Sequence, residues 1–325
     1  VFIPEDPDPS ECDTTHPGLS QARLLTRAEY NNTVRDLFGY TADPAAKFPA
    51  ENSVLGFENN ATSHQVSPIL VERLLEAAEA IAADTVANRL ALVAPCAVAI
   101  NPSAEAAVQA CKDTLITDMG RRAFRRPLLA EEAAAMEVAF DLGLLDSVEE
   151  AVTRLIAVQL MSPQFLYRME LIGESEQPAD AVVLSGWEVA QRLSYFLWAS
   201  TPDDELLAAA AAGTLDTLDG VELEARRMML DPKARDAVDS FHRQWLDLER
   251  LDHLTKDATS ELGIDMKGLR QSWKTSLLEH AYQASVGPDA SLDRLLASDE
   301  VYVDDTLAGL HKVDLPGGGW DLVKL

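Results

Sequence analysis

The sequence predicts an all-α protein: a multi-helix chain of two packed helical subdomains with an extended N-terminal arm. Two observations carry this. Apolar residues recur at helical spacing through most of the 325 residues, between Ser, Thr or Asp caps on one side and Gly or Pro stops on the other. Alternating apolar–polar runs are almost absent. The nearest are AVVLS (Ala181 to Ser185) and VYVDD (Val301 to Asp305), both too short for a sheet. No segment repeats at a fixed period, which argues against a solenoid.

Residues 1–22 read as an extended arm, because Pro4, Pro7, Pro9 and Pro17 block helix. The first helical domain spans 23–172. It opens with TRAEYNNTVRDLFG, where Thr26 and Glu29 make a capping box and Gly39 closes the helix. A loop rich in Asn and Pro follows, KFPAENSVLGFENNATSHQVSP. Ser67-Pro68 then restarts a helix with Ile69, Leu70, Leu74, Leu75, Ala78 and Ile81 along one side. Ser103 is expected to cap a helix through Met119, Leu129 to Leu142 reads as another, and Ser147 caps VEEAVTRLIAVQLMS. The polar stretch Gly173 to Ala181 is the linker. The second domain, 182–325, begins with LSGWEVAQRLSYFLWAS and continues through TPDDELLAAAAAG, LDGVELEARRMMLD, PKARDAVDSFHRQWLDLERL, MKGLRQSWKTSLLEHAYQASV and SLDRLLASD. The closing DLPGGGWDLVKL runs from a glycine turn into an apolar fragment with no evident partner. It reads as continuing into a C-terminal part beyond the chain.

Charge narrows the function. Asp and Glu number 54 against 27 Lys and Arg, a net charge of -27. Such a surface repels the phosphates of nucleic acid and of anionic membranes. The longest apolar runs are far too short to span a bilayer. No nucleophile elbow, phosphate-cradling glycine loop, EF-hand or metalloprotease helix motif occurs. Acidic groups such as Asp203-Asp204-Glu205 stand at helix starts, where carboxylates complement the helix dipole. Of the three cysteines, Cys96 and Cys111 are spaced either for a local disulfide or as two free buried thiols, and Cys12 in the arm is unassigned. With no CxxCH, the chain has no attachment site of its own for covalent haem.

Four side chains are the candidates for a cofactor- or partner-facing surface. His242 stands one helical turn from Trp245. It is either a hydrogen-bonded histidine at the core edge or an axial ligand or general base. Arg192 and Tyr195 lie in the aromatic helix WEVAQRLSYFLWAS, beside a face of Trp187, Leu193, Phe196 and Leu197 that is expected to be buried. The basic run RRAFRRPL places Arg121, Arg122, Arg125 and Arg126 where a helix ends before Pro127. There, cations interact favourably with the helix dipole and can pair with carboxylates elsewhere in the chain. This reads as a structural basic clasp; anion binding is the competing reading.

Taken in order, RLLTRAEYNNTVRDLFG, FPAENSVLGFENN, VSPILVERLLEAAEAIA, RRAFRRPLLAEE, SPQFLYRME, LSGWEVAQRLSYFLWASTPDDELLAAAAAGTL, FHRQWLDLERL and SLDRLLASDEVYVDDTLAGLHKV resemble the first modules of large secreted planctomycete and myxobacterial proteins. Those modules are cytochrome-associated domains of unknown function. The resemblance covers nearly the whole chain but carries over no catalytic residues. It implies export to an extracytoplasmic location (periplasm, cell surface or medium), which favours the Cys96–Cys111 disulfide. It also implies later modules with c-type-haem patterns, absent from this chain, whose missing part could supply a partner for Cys12. The expectation is a helical module of a redox protein, packing against a c-type-haem-bearing segment or partner in electron transfer or oxidation. The partner is either the remainder of the same precursor or another subunit. The alternatives are a non-enzymatic envelope or surface scaffold that binds a protein or polymer and, more remotely, a hydrolase.

Overall fold

The computed structural model describes residues 21–61, 66–170, 183–253, 266–315 and 319–324. The arm to residue 20 with Cys12, and the linker Gly173 to Ala181, lie outside the described residues. The fold is all-α, with two short antiparallel strand pairs added. The chain divides into two compact units. Unit 1 takes 1–51, 61–193 and 200–221; unit 2 takes 52–60, 194–199 and 222–325.

Unit 1 begins with β1 (Arg23–Leu24) and α1 (Arg27–Phe38). Thr26 and Glu29 close the capping box reciprocally. Thr26 Oγ1 accepts from the Glu29 N–H, and Glu29 Oε2 accepts from the Thr26 N–H at 2.9 Å. Gly39, at φ 66°, takes the left-handed cap that a Cβ would strain. Next come α2 (Pro68–Val93), capped by Ser67, and α3 (Glu105–Thr114). Ser103 does not cap α3. Ala104 holds that position without a side-chain bond, while Asn101 Oδ1 accepts from the Ser103 N–H in the turn before it. The helix also does not stop at Met119. It widens into a π-helical stretch, Leu115–Met119, and continues as α4 (Gly120–Phe124).

The centre of unit 1 is α5 (Ala130–Leu144), α6 (Val148–Met161, capped by Ser147) and α2, with α6 against both others. Gly143 permits the close approach of α5 and α6, since a Cβ there would lie 2.5 Å from Ala151 Cα. Val34, Ile81, Phe140, Leu155, Ile156 and Phe165 are essentially fully buried. Each such side chain contributes roughly 1.5–3 kcal/mol on removal from water. Next, α7 (Pro163–Leu166) leads into β2 (Tyr167–Arg168), which pairs with β1. The first half of α8 (Gly186–Leu197), α9 (Asp204–Ala211, capped by Asp203) and the start of α10 (Leu218–Met229) complete the unit.

Unit 2 holds the end of α8, most of α10, α11 (Lys233–Trp245), α12 (Met266–Val286), α13 (Leu292–Ala297) and α14 (Asp305–His311). Trp198 is fully buried; its Nε1–H donates to the Met228 carbonyl at 2.8 Å, and Lys233 Nζ sits 3.9 Å from its ring centroid. The expectation that VYVDD cannot enter a sheet is corrected: β3 (Glu300–Val303) pairs with β4 (Asp321–Lys324) in register Val301↔Val323. The C-terminal apolar fragment therefore has a partner in this chain. Val301 and Val323 pack on a cluster of Leu269, Val303, Leu307 and Ala308, so their alternation has an apolar surface to bury against. Val183 to Ser185, the described part of the other short run, forms no strand.

Candidate functional site

The four surface candidates do not fall in one unit: Arg192 belongs to unit 1, and Tyr195, His242 and Trp245 to unit 2. Within unit 2, α11 brings His242 and Trp245 together, with ring centroids 5.9 Å apart. His242 is buried. Its Nδ1 lies 2.8 Å from the Val238 carbonyl one turn back, and a carbonyl can only accept, so Nδ1 carries the proton. Ser285 Oγ lies 3.4 Å from Nε2. An Nδ1 anchored on a backbone carbonyl is seen in ligating histidines, but also in structural ones. No group of three or more His, Cys, Asp or Glu able to hold a metal ion occurs among the described residues. Tyr195 is buried as well.

What the sequence did not reveal is the surface over this histidine. Val54 and Phe57 exchange backbone hydrogen bonds of 2.9 and 3.1 Å, closing a tight hairpin with Leu55 and Gly56 at its tip, both at positive φ. The hairpin is tied to α11, because Gln244 Oε1 accepts from the Glu58 N–H at 2.9 Å. Phe57 stacks on Phe241 at 5.6 Å, and Phe241 lies 5.8 Å from Trp245. Phe241 is 49% and Trp245 43% exposed, and Leu55 is 95% exposed. The result is a half-open aromatic platform with a strained, apolar hairpin tip at its edge, and held strain of this kind concentrates at binding sites. Asparagine-rich flanks make NSVLGFENN look like an ordinary loop; its Leu-Gly pair between two apolar residues was the available signal.

The second neighbourhood lies in unit 1. A cavity of about 320 Å³ is lined among others by Phe124, Gln164, Tyr167, Trp187 and Glu188. Glu188 Oε2 accepts from Ser185, whereas its Oε1 is buried and meets no hydrogen-bond donor among the described residues. Trp187 is half-buried on this wall. Phe196, expected on the buried face of the same helix, is instead 78% exposed. The face that α8 buries is set by Ala190 and Ser194, continued by Trp198 just past its end, a stripe rotated away from Phe196.

The clasp arginines have separate tasks. Arg122 forms a two-pronged pair with Asp204 (2.8 and 2.6 Å) at the start of α9. Arg125, 1% exposed and at φ 61°, donates Nη2 to the carbonyls of Gln164 (3.1 Å) and Phe165 at the end of α7. Arg126 forks onto Glu132 at 2.9 and 2.7 Å. Burial would raise the Glu132 carboxyl, but Arg126 and the Leu129 N–H outweigh it and hold it below the ordinary glutamate value. Arg121 is half-buried and takes no part in these bonds. Cys96 and Cys111 are joined in a disulfide that ties α3 to the turn after α2.

Three family models match the chain: PSD3, a protein of unknown function (DUF1587), over residues 23–87; PSD5 (DUF1595), over 111–170; and PSD4 (DUF1592), over 184–313. The comparisons with curated proteins and with solved structures returned no significant match. No described helix is long and apolar enough to cross a membrane.

Proposed function

We propose that this chain is an extracytoplasmic helical module that packs against a c-type-haem-bearing segment or partner and serves electron transfer or oxidation there. The observation that carries the reading is the platform of Phe57, Phe241 and Trp245 above His242. Three aromatic rings kept half-exposed by a strained hairpin cost free energy unless something apolar and flat covers them. The Cys96–Cys111 disulfide suits an oxidising compartment, and the three matched segments accord with the cytochrome-associated resemblance. Because the chain has no CxxCH, the partner carries the haem and this chain supplies the surface.

The test is to purify the protein from its native source and record visible spectra before and after reduction, with the intact mass of every copurifying chain. The expected result is a Soret band that shifts on reduction, lost from preparations of Trp245→Ala. A colourless native preparation that contains the full precursor overturns the proposal. A colourless one with a tightly bound second protein supports the scaffold alternative instead.

A further inference from the structure

The cavity of unit 1, about 320 Å³, has the volume of a pocket for a small molecule. Its aromatic wall comes from three elements: Phe124 at the end of α4, Tyr167 in β2 and Trp187 in the first turn of α8. Met169 and Leu184 add apolar surface. Most polar groups on the wall are already engaged inside the unit. Arg126 forks onto Glu132, Gln164 Oε1 accepts from Ser162 Oγ, and Gln191 Nε2 donates to the Met169 carbonyl at 3.2 Å. Glu188 accepts from the Ser185 cap with one oxygen, and its other oxygen is buried. Two polar tips differ from these. The Tyr167 hydroxyl and the Trp187 indole N–H make no hydrogen bond among the described residues, and neither is sealed from solvent.

We infer that this cavity binds a small, uncharged, flat ring bearing a carbonyl oxygen, as an aryl ketone, a lactone or a quinone does. An indole N–H only donates, and a phenol hydroxyl donates as readily as it accepts, so the complementary ligand brings an acceptor. The three aromatic side chains supply apolar surface that suits a flat ring, by stacking or edge-to-face contact. Charge is not what the wall lacks. Arg126 is paired with Glu132, Glu188 stands in the field of Arg192 one turn along α8, and Arg125 is held on the carbonyls of Gln164 and Phe165. A charged ligand would give up its hydration without finding an uncommitted counter-ion. The cavity lies in unit 1 and the aromatic platform in unit 2, so the site does not depend on the haem-partner proposal.

The test titrates the full chain with three probes, read by ligand-observed NMR and calorimetry. They are indanone, indane (the same bicycle without the carbonyl) and indane carboxylate. Indanone should bind several-fold more tightly than either of the others. Trp187→Phe and Tyr167→Phe each delete one free donor and keep a ring on the wall. Neither breaks a hydrogen bond within the protein, so both variants should fold, which thermal unfolding checks. The variant that lacks the donor engaged by the carbonyl should lose about 2- to 10-fold in affinity for indanone and keep its affinity for indane. The double variant should no longer distinguish indanone from indane. Equal affinity of the wild type for indanone and indane overturns the proposal, as does the absence of indanone binding. Tighter binding of the carboxylate, or a carbonyl preference that survives in the double variant, overturns it too.

Discussion

Replacing Arg125 by alanine removes a guanidinium that is 1% exposed and strands the carbonyls of Gln164 and Phe165 at the end of α7. A buried polar group left without its partner costs about 1–3 kcal/mol. The guanidinium also lies 5.9 Å from the Phe165 ring centroid, a contact of about 0.5–2 kcal/mol. Relief of the buried charge offsets part of this, so a net loss of roughly 3 kcal/mol is expected. Alanine inherits the same left-handed backbone, and the comparison therefore isolates the side chain. Arg122→Ala is the internal control. Arg122 and Asp204 are 49% and 57% exposed, and solvent-screened pairs of this kind contribute about 0–1 kcal/mol. Arg126→Ala should fall between them, because it strips the buried Glu132 of a two-pronged partner. Scanning calorimetry at neutral pH reads all three. At about 2–4 °C per kcal/mol, Arg125→Ala should lower the unit 1 transition by roughly 6–12 °C and Arg122→Ala by under about 4 °C. Equal losses from Arg122 and Arg125 would refute the view that burial, rather than charge, sets the value of each arginine.

Glu132 gives a pH signature. A carboxyl held below its unfolded value stabilises the fold above that value and loses this contribution as pH falls through the depressed one, so the loss belongs below about pH 4. Glu132→Gln should be less stable at neutral pH and show a shallower acid limb; an unaltered acid limb would contradict the assignment. Reducing Cys96–Cys111, 15 residues apart, should lower unit 1 stability by roughly 3 kcal/mol, read as a melting shift under reductant, and no shift would show the bond to be dispensable. Trp198→Phe removes the buried donor to Met228 and should destabilise unit 2 by about 1–3 kcal/mol, measured by urea unfolding. A loss confined to unit 1 would disprove that placement.

Helix starts were legible because a cap is a local event. Thr26 with Glu29, Ser67, Ser147 and Ser291 each accept from an amide three residues on, within reach of sequence reasoning. Ser103 was misleading because the helix starts one residue too late for it: Ala104 takes the cap position, and the Ser103 N–H instead donates to Asn101 Oδ1 in the preceding turn. The strand β3 was hidden because four residues gain extended structure only from a partner some twenty residues on and from the Leu269–Leu307 cluster beneath. Among site residues, RRAFRRPL drew attention by density, yet three of its arginines are bound to acceptors within the unit. Arg23 and Arg168, by contrast, are brought face to face by a two-residue strand pair that no local pattern announces. His242 and Trp245 were visible from helical spacing; Phe57, which completes their platform, comes from a hairpin nearly two hundred residues earlier.

The division into units bears on how this chain can be dismantled. Unit 2 draws on 52–60, 194–199 and 222–325, so the polypeptide enters it, leaves and returns. The segment matched as PSD3 contains residues that unit 2 requires, and the segment matched as PSD4 contains 184–193 and 200–221, which unit 1 requires. Boundaries drawn by family similarity therefore cut through both bodies. A fragment beginning at residue 184 would lack the Phe57 hairpin, and one ending at residue 170 would lack α9 and the acceptor of Arg122. A recombinant strategy that separates the three matched segments would deliver pieces none of which holds either unit entire.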